Sequence, residues 1–389
     1  MNKTTMWIAV AVVCCAAAGG GAWWYMNGSR SSSGQYSTYF NYSDQEIASV
    51  QALDASKSST VDDVYRWDET TFDLISKDAD ASGFINIDPT KVFAYLAVAQ
   101  RDFNNIARNL NKGGSIDPVS RDTLCLLFTK SCSSLARNVK TDDFSEAVSK
   151  LIAGKVKTRL EKDEMQMKPY ADKVGPEYWD GKEPRIGQKL GSSVPWYIKS
   201  GDQFRAPPPP AFDSQELKDQ LAETKKFLTE ATSKQRYAVV YWAGGPGTKS
   251  TPGILLDIAD KYMQKNNVDL VKVLDARAAM TAAVADAAIA AFDSKYTYWL
   301  RRPNMMDPSI ITIMPTPNHP SYPSGHSTLS MAAGVVWKHY FPENNDEWDA
   351  RVEEGGMSRV WGGIHYMIDH TSGQAIGKAV GEEVVKGFH

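Results

Sequence analysis

An alanine-rich apolar segment constrains the fold of this 389-residue chain more than any other feature. Residues 268–292, VDLVKVLDARAAMTAAVADAAIAAF, carry small or apolar side chains at most positions. Alanine has the highest intrinsic helix propensity, and small side chains allow a second helix to approach closely. The segment therefore predicts a long, buried helix at the centre of a helical bundle.

Helix signals also dominate most of the remaining sequence. Three predicted helix starts carry capping signals, at Ser43 with Glu46, at Asp88 before Pro89 and at Asp117 before Pro118. A proline-rich stretch over residues 175–212 predicts an ordered loop or a linker. Residues 309–314, SIITIM, are the best strand candidate and are short. We predict an all-α fold, a helical bundle with long loops.

The N-terminal region predicts a contact with a membrane. Residues 7–26 contain no charged side chain and reach the length of about 20 residues that a membrane-spanning helix needs. We interpret residues 1–26 as a membrane anchor, with a cleaved signal segment as the alternative. Residues 27–42 are polar and serine-rich, which is typical of a flexible tether. The predicted helical domain then spans residues 43–389 and is extracytoplasmic, either membrane-anchored or secreted.

Charge, cysteine and histidine content narrow the classes of function. The net charge of -3 shows no basic excess, which argues against a nucleic-acid-binding protein. Only four cysteines occur, so the chain is not a disulfide scaffold. Cys125 and Cys132 would lie about 10 Å apart on one helix, which is beyond disulfide reach. All six histidines lie between residues 319 and 389, so any imidazole chemistry belongs to the C-terminal region.

Three segments near the C-terminus carry the candidate chemistry. They are residues 295–303 (KYTYWLRRP), 319–326 (HPSYPSGH) and 358–369 (SRVWGGIHYMID). Their candidate site residues are Lys295, Arg302, His319, Ser324, Gly325, His326, Arg359, His365 and Asp369.

These residue types describe a pocket for one phosphate-like anion. Lysine and arginine side chains bind tetrahedral oxyanions. Ser324 and Gly325 precede a predicted helix, and the N-terminus of a helix favours an anion. His365 and Asp369 are four residues apart, so the carboxylate can orient the imidazole ring. We predict that His365 is a nucleophile or axial ligand and that His326 is its acid–base partner.

The three segments resemble the three-part signature of the type 2 phosphatidic acid phosphatase (PAP2) and vanadium haloperoxidase superfamily. Every fixed position of K-x6-R-P, P-S-G-H and S-R-x5-H-x3-D is present. Residues 200–212, 243–253 and 285–296 are also similar to the soluble bacterial branch related to the haloperoxidases. The resemblance implies an all-α enzyme whose signature core is residues 240–389.

The resemblance also implies roles for individual residues. The residues that hold phosphate or vanadate would be Lys295, Arg302, Ser324, Gly325 and Arg359. The histidine that matches His365 is the nucleophile in phosphatases and the vanadium ligand in haloperoxidases, and the match to His326 is the acid–base. His319 has a counterpart in algal bromoperoxidases, which implies a second histidine that relays protons or tunes halide choice. Met367 and Ile368 depart from relatives, which often have a polar residue here.

Three functions are open on this basis. The first is a vanadate-dependent haloperoxidase that oxidises halide with hydrogen peroxide, with vanadate bound to His365 and the peroxide polarised by Lys295. The second is an acid phosphatase that cleaves a phosphate ester through a phosphohistidine and needs no cofactor. The third is a non-catalytic helical scaffold that retains the pocket. We also expect a membrane contact through the N-terminal segment, a homodimer and no nucleic-acid partner.

Overall fold

A computed structural model of the chain describes residues 36–56, 58–82, 88–135, 139, 141–245 and 247–388. These residues form α-helices and three short 3-10 helices, and no β-strand occurs among them, so the predicted all-α fold is confirmed. The α-helices are α1 (Asp44–Gln51), α2 (Val61–Ser82), α3 (Pro89–Asn109), α4 (Asp117–Leu127), α5 (Cys132–Leu135), α6 (Asp143–Gln166), α7 (Gln215–Glu230), α8 (Ser233–Tyr241), α9 (Ser250–Lys265), α10 (Leu270–Tyr298), α11 (Pro303–Met306), α12 (Gly325–Tyr340), α13 (Asn345–Trp361) and α14 (Met367–Gly387).

Helix α10 is the buried central helix that the alanine-rich segment predicts. It begins after Asp269, whose side chain accepts a hydrogen bond from the Lys272 N–H, and it ends at Trp299, which has a left-handed backbone with φ 57°. All of residues 276–291 are buried. Helices α3, α12 and α14 pack around it. The small alanine side chains let these three helices come close to one axis.

Helices α12 and α14 pack closely because α14 carries a glycine at every fourth position, Gly373, Gly377 and Gly381. A Cβ atom added to Gly373 would lie only 2.7 Å from the carbonyl oxygen of Ser324, and one added to Gly377 would lie even closer to that of Thr328. Any larger residue would push the two helices apart. The glycines therefore hold the N-terminal ends of α12 and α14 side by side, where the site is built.

The predicted helix caps are confirmed at two of three positions. Ser43 forms a capping box with Glu46, and Asp88 accepts the Thr90 N–H ahead of Pro89. The third prediction was wrong, because Asp117 is the first residue of α4 and caps nothing. Its carboxylate instead accepts hydrogen bonds from the side chains of Arg66 and Trp67 on α2, at 2.6 and 2.8 Å.

Two further predictions from local sequence were wrong. Cys125 and Cys132 form a disulfide, with 4.6 Å between their Cα atoms. They do not share a helix, because α4 ends at Leu127 and a 3-10 turn brings the chain back before α5 starts. Residues 309–314 form no strand, since no other strand lies beside them among the described residues. The Ile313 N–H bonds instead to the carbonyl oxygen of Gly362 at the end of α13.

The tether prediction was wrong for residues 36–42, which belong to the folded domain. The buried carboxylate of Asp102 on α3 accepts the backbone N–H groups of Tyr39 and Phe40, at 2.6 and 2.9 Å. The rest of the predicted tether and the predicted anchor lie outside the described residues. Among the helices of the described residues, none combines the length and the apolar character that a membrane span requires.

The proline-rich stretch over residues 175–212 is an ordered loop. The carboxylate of Asp286 on α10 accepts the backbone N–H groups of Trp196, Tyr197 and Ile198, at 2.7 to 3.0 Å. The Asn318 amide holds an earlier part of the loop through the carbonyl oxygens of residues 182 and 184. The loop thus covers the C-terminal half of α10 and one side of the site.

Candidate functional site: an oxyanion pocket at the helix ends

The structure brings all nine predicted site residues to one place, where several helices end or begin. Lys295 lies in the last turn of α10, Arg302 precedes α11, Ser324 caps α12, Gly325 and His326 open it, Arg359 lies in the last turn of α13, and His365 and Asp369 flank the start of α14. His319 lies in the loop before α12. Most of these side chains are buried, and only Gly325, His326 and His319 are partly exposed.

Arg302 connects two of the three histidines. Its Nη1 donates to Nε2 of His365 at 3.0 Å and to the carbonyl oxygen of Ile364 at 2.9 Å. Its Nη2 donates to Nδ1 of His319 at 3.0 Å, so the predicted second histidine does lie at the pocket. A fully charged guanidinium has five N–H donors, and these contacts together with the Nε bond to the His319 carbonyl leave one for a bound anion.

His365 is held in a single tautomer. Arginine only donates hydrogen bonds, so Nε2 of His365 must present its lone pair to Arg302. Nδ1 then carries the proton and donates to Oδ2 of Asp369 at 2.6 Å. Burial, followed by the charges of Arg302 and Lys295, lowers the pKa of His365 well below its usual value. The ring is therefore neutral, with a nucleophilic nitrogen directed at the cations.

Asp369 is held in turn by Ser321, a residue that the motif comparison did not single out. The Ser321 hydroxyl donates to Oδ2 of Asp369 at 2.5 Å, and the Tyr366 N–H donates to the same oxygen at 3.2 Å. Oδ1 of Asp369 is buried without a partner. Burial outweighs these hydrogen bonds and raises the pKa of Asp369 to about 6.

Lys295 holds the loop that leads into α12. Its ammonium group donates to the carbonyl oxygens of Pro320, Ser321 and Pro323, at 2.9, 2.7 and 2.5 Å. These bonds use all three N–H donors of the group. Direct contact between Lys295 and an anion thus requires the ammonium group to give up one of these hydrogen bonds to a carbonyl oxygen. The role of Lys295 in polarising a peroxide stays a prediction.

Arg359 approaches the pocket from α13. Its Nε donates to Oγ of Ser358 and its Nη2 to the carbonyl oxygen of Val239, at 2.9 and 2.6 Å. Its Nη1 contacts the thioether sulfur of Met314 at 2.6 Å. A thioether is a weak acceptor, and two further N–H donors have no partner in these contacts. Arg359 is therefore the cation with the most unused hydrogen-bonding capacity.

Lys295, Arg302 and Arg359 form no ion pair with any carboxylate of the described residues, although each is fully buried. Burial lowers the pKa of Arg302 to about 10 and that of Arg359 to about 9. Burial and the neighbouring Arg302 charge lower the pKa of Lys295 well below its usual value. A buried charge is costly unless it is paired. Three such cations beside the one carboxylate of Asp369 make a pocket that favours an anion.

The N-terminus of α12 adds backbone donors to the pocket. Ser324 is the N-cap, and its side chain accepts the Ser327 N–H. The first N–H groups of a helix lack partners within the helix and attract anions. A Cβ atom added to Gly325 would meet no atom within 4 Å, so the space beside this glycine is open. The structure thus keeps room for a ligand where the sequence predicts a close approach to an anion.

His326 has the opposite tautomer to His365. Its Nε2 lies 2.7 Å from the carbonyl oxygen of Trp242 and 3.1 Å from Oγ1 of Thr251. Because a carbonyl only accepts, Nε2 carries the proton and Nδ1 is left to exchange one. Burial, followed by the charge of Arg359, lowers the pKa of His326 well below its usual value. A neutral imidazole with a free nitrogen is suited to act as a base.

Several contacts of the pocket had no signal in the motifs. Thr251 lies inside the 243–253 segment that supported the resemblance, but nothing in that segment indicates a bond to His326. The carbonyl groups of residues 239 and 242 act through the backbone, which has no residue signature. Ile368, one of the two departures from relatives, donates its N–H to the side chain of Gln220.

Comparisons with known proteins agree with this geometry. Residues 276–388, which contain every candidate site residue, match the sequence model of the PAP2 superfamily. The match thus falls on the same C-terminal region as the three-part signature. No curated protein sequence matches the chain.

Solved structures with a similar fold include bacterial vanadium-dependent peroxidases. The structure titled the first bacterial vanadium-dependent iodoperoxidase is 22% identical, with a TM-score of 0.70 over 86% of this chain and 99% of its own. A bacterial vanadium-dependent chloroperoxidase is 16% identical over 78% of this chain. Its holo form has a TM-score of 0.58 over 90% of its length, and its apo form has 0.60 over 92%. The shared fold and the PAP2 match indicate an enzyme of the haloperoxidase or phosphatase type.

Proposed function

We propose that this chain is a vanadate-dependent haloperoxidase-type enzyme that oxidises a halide with hydrogen peroxide. The observation that carries the proposal is the set of three buried cations without a carboxylate partner, next to a histidine nitrogen that presents its lone pair. A tetrahedral oxyanion completes both requirements, because it neutralises the cations and accepts the nitrogen as a ligand. A scaffold that never binds an anion would keep the cost of these charges without compensation.

Vanadate suits this donor set. Nε2 of His365 would be its protein ligand, and Arg302, Arg359 and the N–H groups at the start of α12 would hold its oxygens. Bound vanadate would supply a Lewis acid that makes hydrogen peroxide reactive toward halide. Asp369 and Ser321 keep the His365 ring oriented and its Nδ1 protonated, and Nδ1 of His326 accepts or returns the proton that the reaction moves.

A PAP2-type acid phosphatase is the second candidate, and the match of residues 276–388 favours it. Phosphate and vanadate are similar oxyanions, so the same cations would hold a phosphate ester. Nε2 of His365 would attack phosphorus to form a phosphohistidine while the P–O bond to the alcohol breaks. The charge of a bound phosphate ester would offset that of Arg359 and favour protonated His326, which would give its proton to the leaving oxygen.

The proposed location of the enzyme is outside the cytosol. The Cys125–Cys132 disulfide fits an oxidising compartment, since disulfides are rare in the cytosol. The uncharged N-terminal segment, as an anchor or a cleaved signal, would direct the chain there. The substrates would be small molecules, either peroxide with halide or a phosphate ester.

Two assays on one preparation of the full chain decide between the candidates. The first measures halogenation of an activated organic acceptor with peroxide, orthovanadate and iodide, bromide or chloride. The second measures hydrolysis of p-nitrophenyl phosphate without vanadate. We expect halogenation that requires vanadate. Hydrolysis alone, suppressed by vanadate, would identify a phosphatase. The absence of both reactions would support the non-catalytic scaffold.

A further inference from the structure

One contact in the pocket serves neither proposed reaction. The thioether sulfur of Met314 lies 2.6 Å from Nη1 of Arg359, which is buried and pairs with no described carboxylate. Met314 belongs to the loop before α12 and is only partly buried. The thioether of a partly exposed residue thus lies directly against one of the cations that would hold the oxyanion.

We propose that Met314 is an oxidation site that controls how well the pocket binds an oxyanion. The oxidant is hydrogen peroxide, and its presence at the pocket rests on the function proposed above. One peroxide oxygen transfers to the sulfur, the O–O bond breaks and water leaves. The sulfur loses two electrons and the thioether becomes a sulfoxide, a change that methionine sulfoxide reductases reverse.

The sulfoxide changes the partner of Arg359 from a weak acceptor to a strong one. Its oxygen carries partial negative charge and has two lone pairs. It accepts the Nη1 hydrogen bond that the thioether sulfur holds poorly and a second one from the N–H donors of Arg359 that are otherwise unused. An oxyanion then competes for this guanidinium with a group that belongs to the protein. The loss of one hydrogen bond to a charged group weakens anion binding by roughly tenfold to a hundredfold.

The test compares anion binding before and after oxidation. The full chain is treated with hydrogen peroxide, freed of it by desalting and titrated with orthovanadate in a calorimeter. Peptide mass mapping locates the added oxygen atoms. We expect an oxygen on Met314 and weaker orthovanadate binding, restored by methionine sulfoxide reductases. In Met314→Leu, which cannot be oxidised at this position, peroxide treatment should leave the affinity of that variant unchanged.

Met165→Leu is the matched control, because Met165 on α6 has a side chain that is 76% exposed and makes no contact described for the pocket. This variant should lose affinity after peroxide as the unchanged chain does. The proposal is overturned if Met314 stays unmodified while Met165 is oxidised, or if Met314→Leu also loses affinity. If the untreated protein binds no orthovanadate, the proposed function is contradicted and the effect of oxidation on affinity is overturned. The peptide mass map then still shows whether Met314 is oxidised.

Discussion

Nη1 of Arg302 donates a hydrogen bond to Nε2 of His365 across 3.0 Å. Because the guanidinium cannot accept, this one contact determines which imidazole nitrogen is free of a proton, and Asp369 completes the arrangement from the other side. The nitrogen that would attack or coordinate is therefore prepared before any ligand arrives. An oxyanion that enters has only to displace the Arg302 contact and share the same cation.

Removal of the His365 ring should abolish orthovanadate binding. His365→Ala deletes the nitrogen that would coordinate the anion and whose lone pair faces Nη1 of Arg302, and the hydrogen bonds of the cations do not replace a coordinate bond. Calorimetric titration with orthovanadate checks this. His339→Ala is the control, because His339 lies exposed on α12 and should bind as the unchanged chain does. Undiminished binding by His365→Ala would remove this residue from the site.

Ser321 should act through Asp369. Ser321→Ala removes the hydroxyl that donates to Oδ2 of Asp369 at 2.5 Å, so the carboxylate that orients His365 loses a buried donor. Groups that orient a ligand residue commonly affect metal affinity or activity by roughly tenfold to a hundredfold. We expect orthovanadate affinity to fall by at least about tenfold, with partial recovery in Ser321→Thr. Equal binding by the threonine and alanine variants would contradict this role.

Arg359 should lower the free energy of unfolding of the anion-free protein and raise its affinity for an oxyanion. Arg359→Met removes a buried, unpaired charge, although it also leaves the carbonyl oxygen of Val239 without its donor. Without an oxyanion, we expect the free energy of unfolding to rise by about 1 kcal/mol. The affinity for orthovanadate should fall by at least about tenfold.

Urea denaturation measures the effect on stability, calorimetric titration measures the affinity for orthovanadate, and urea denaturation with saturating phosphate tests whether a second oxyanion behaves alike. Phosphate should stabilise the unchanged chain more than Arg359→Met, since only a folded pocket binds it. Arg236→Met is the control, because Arg236 is exposed on α8, and it should change stability by less than about 0.5 kcal/mol. If Arg359→Met is less stable than the unchanged chain and binds the anion equally well, both parts of this prediction are contradicted.

The sequence predicts those parts of the site that depend on residue type and spacing. Lys295 and Arg302, like His365 and Asp369, lie close in the chain, so each pair stays together although α10 ends between the first two and α14 begins between the last two. Contacts between distant segments carry no such signal. The Met314–Arg359 contact and the Thr251–His326 contact join residues 45 and 75 positions apart. Only the packing of helices around α10 brings them within reach.

The wrong predictions share one physical cause. At Cys125, Asp117 and residues 309–314, the structure was predicted from local propensity alone, whereas tertiary contacts determine it. Helix α4 ends two residues after Cys125, and the chain then reverses direction. The carboxylate of Asp117 accepts a hydrogen bond from Arg66 and does not cap α4. Propensity describes a segment by itself, whereas these segments are defined by what packs against them.

The Cys125–Cys132 disulfide should contribute measurably to stability. Cys125→Ser with Cys132→Ser removes a cross-link that closes a short loop, and the chain-entropy model gives about 2 kcal/mol for a loop of this length. Urea denaturation of both proteins measures the difference. Mass analysis of unreduced peptides should find residues 125 and 132 joined. Separate peptides and equal unfolding free energies would show that the cysteines are not linked.

Asp286 should make stability depend on pH in an unusual direction for a carboxylate. Burial outweighs the three backbone N–H groups from residues 196–198 and raises the pKa of Asp286 to about 6. The folded state therefore holds the proton more tightly than the unfolded chain, whose aspartates have a pKa near 3.9. This contribution to stability is fully present below about pH 4 and is lost as the pH rises through about 6.

Asp286→Asn lacks the titration, so the stability of the unchanged chain relative to this variant should increase by about 1 kcal/mol from pH 7 to pH 5. Urea denaturation of both proteins at the two pH values measures this, and a difference that does not vary with pH would show that Asp286 is ionised throughout.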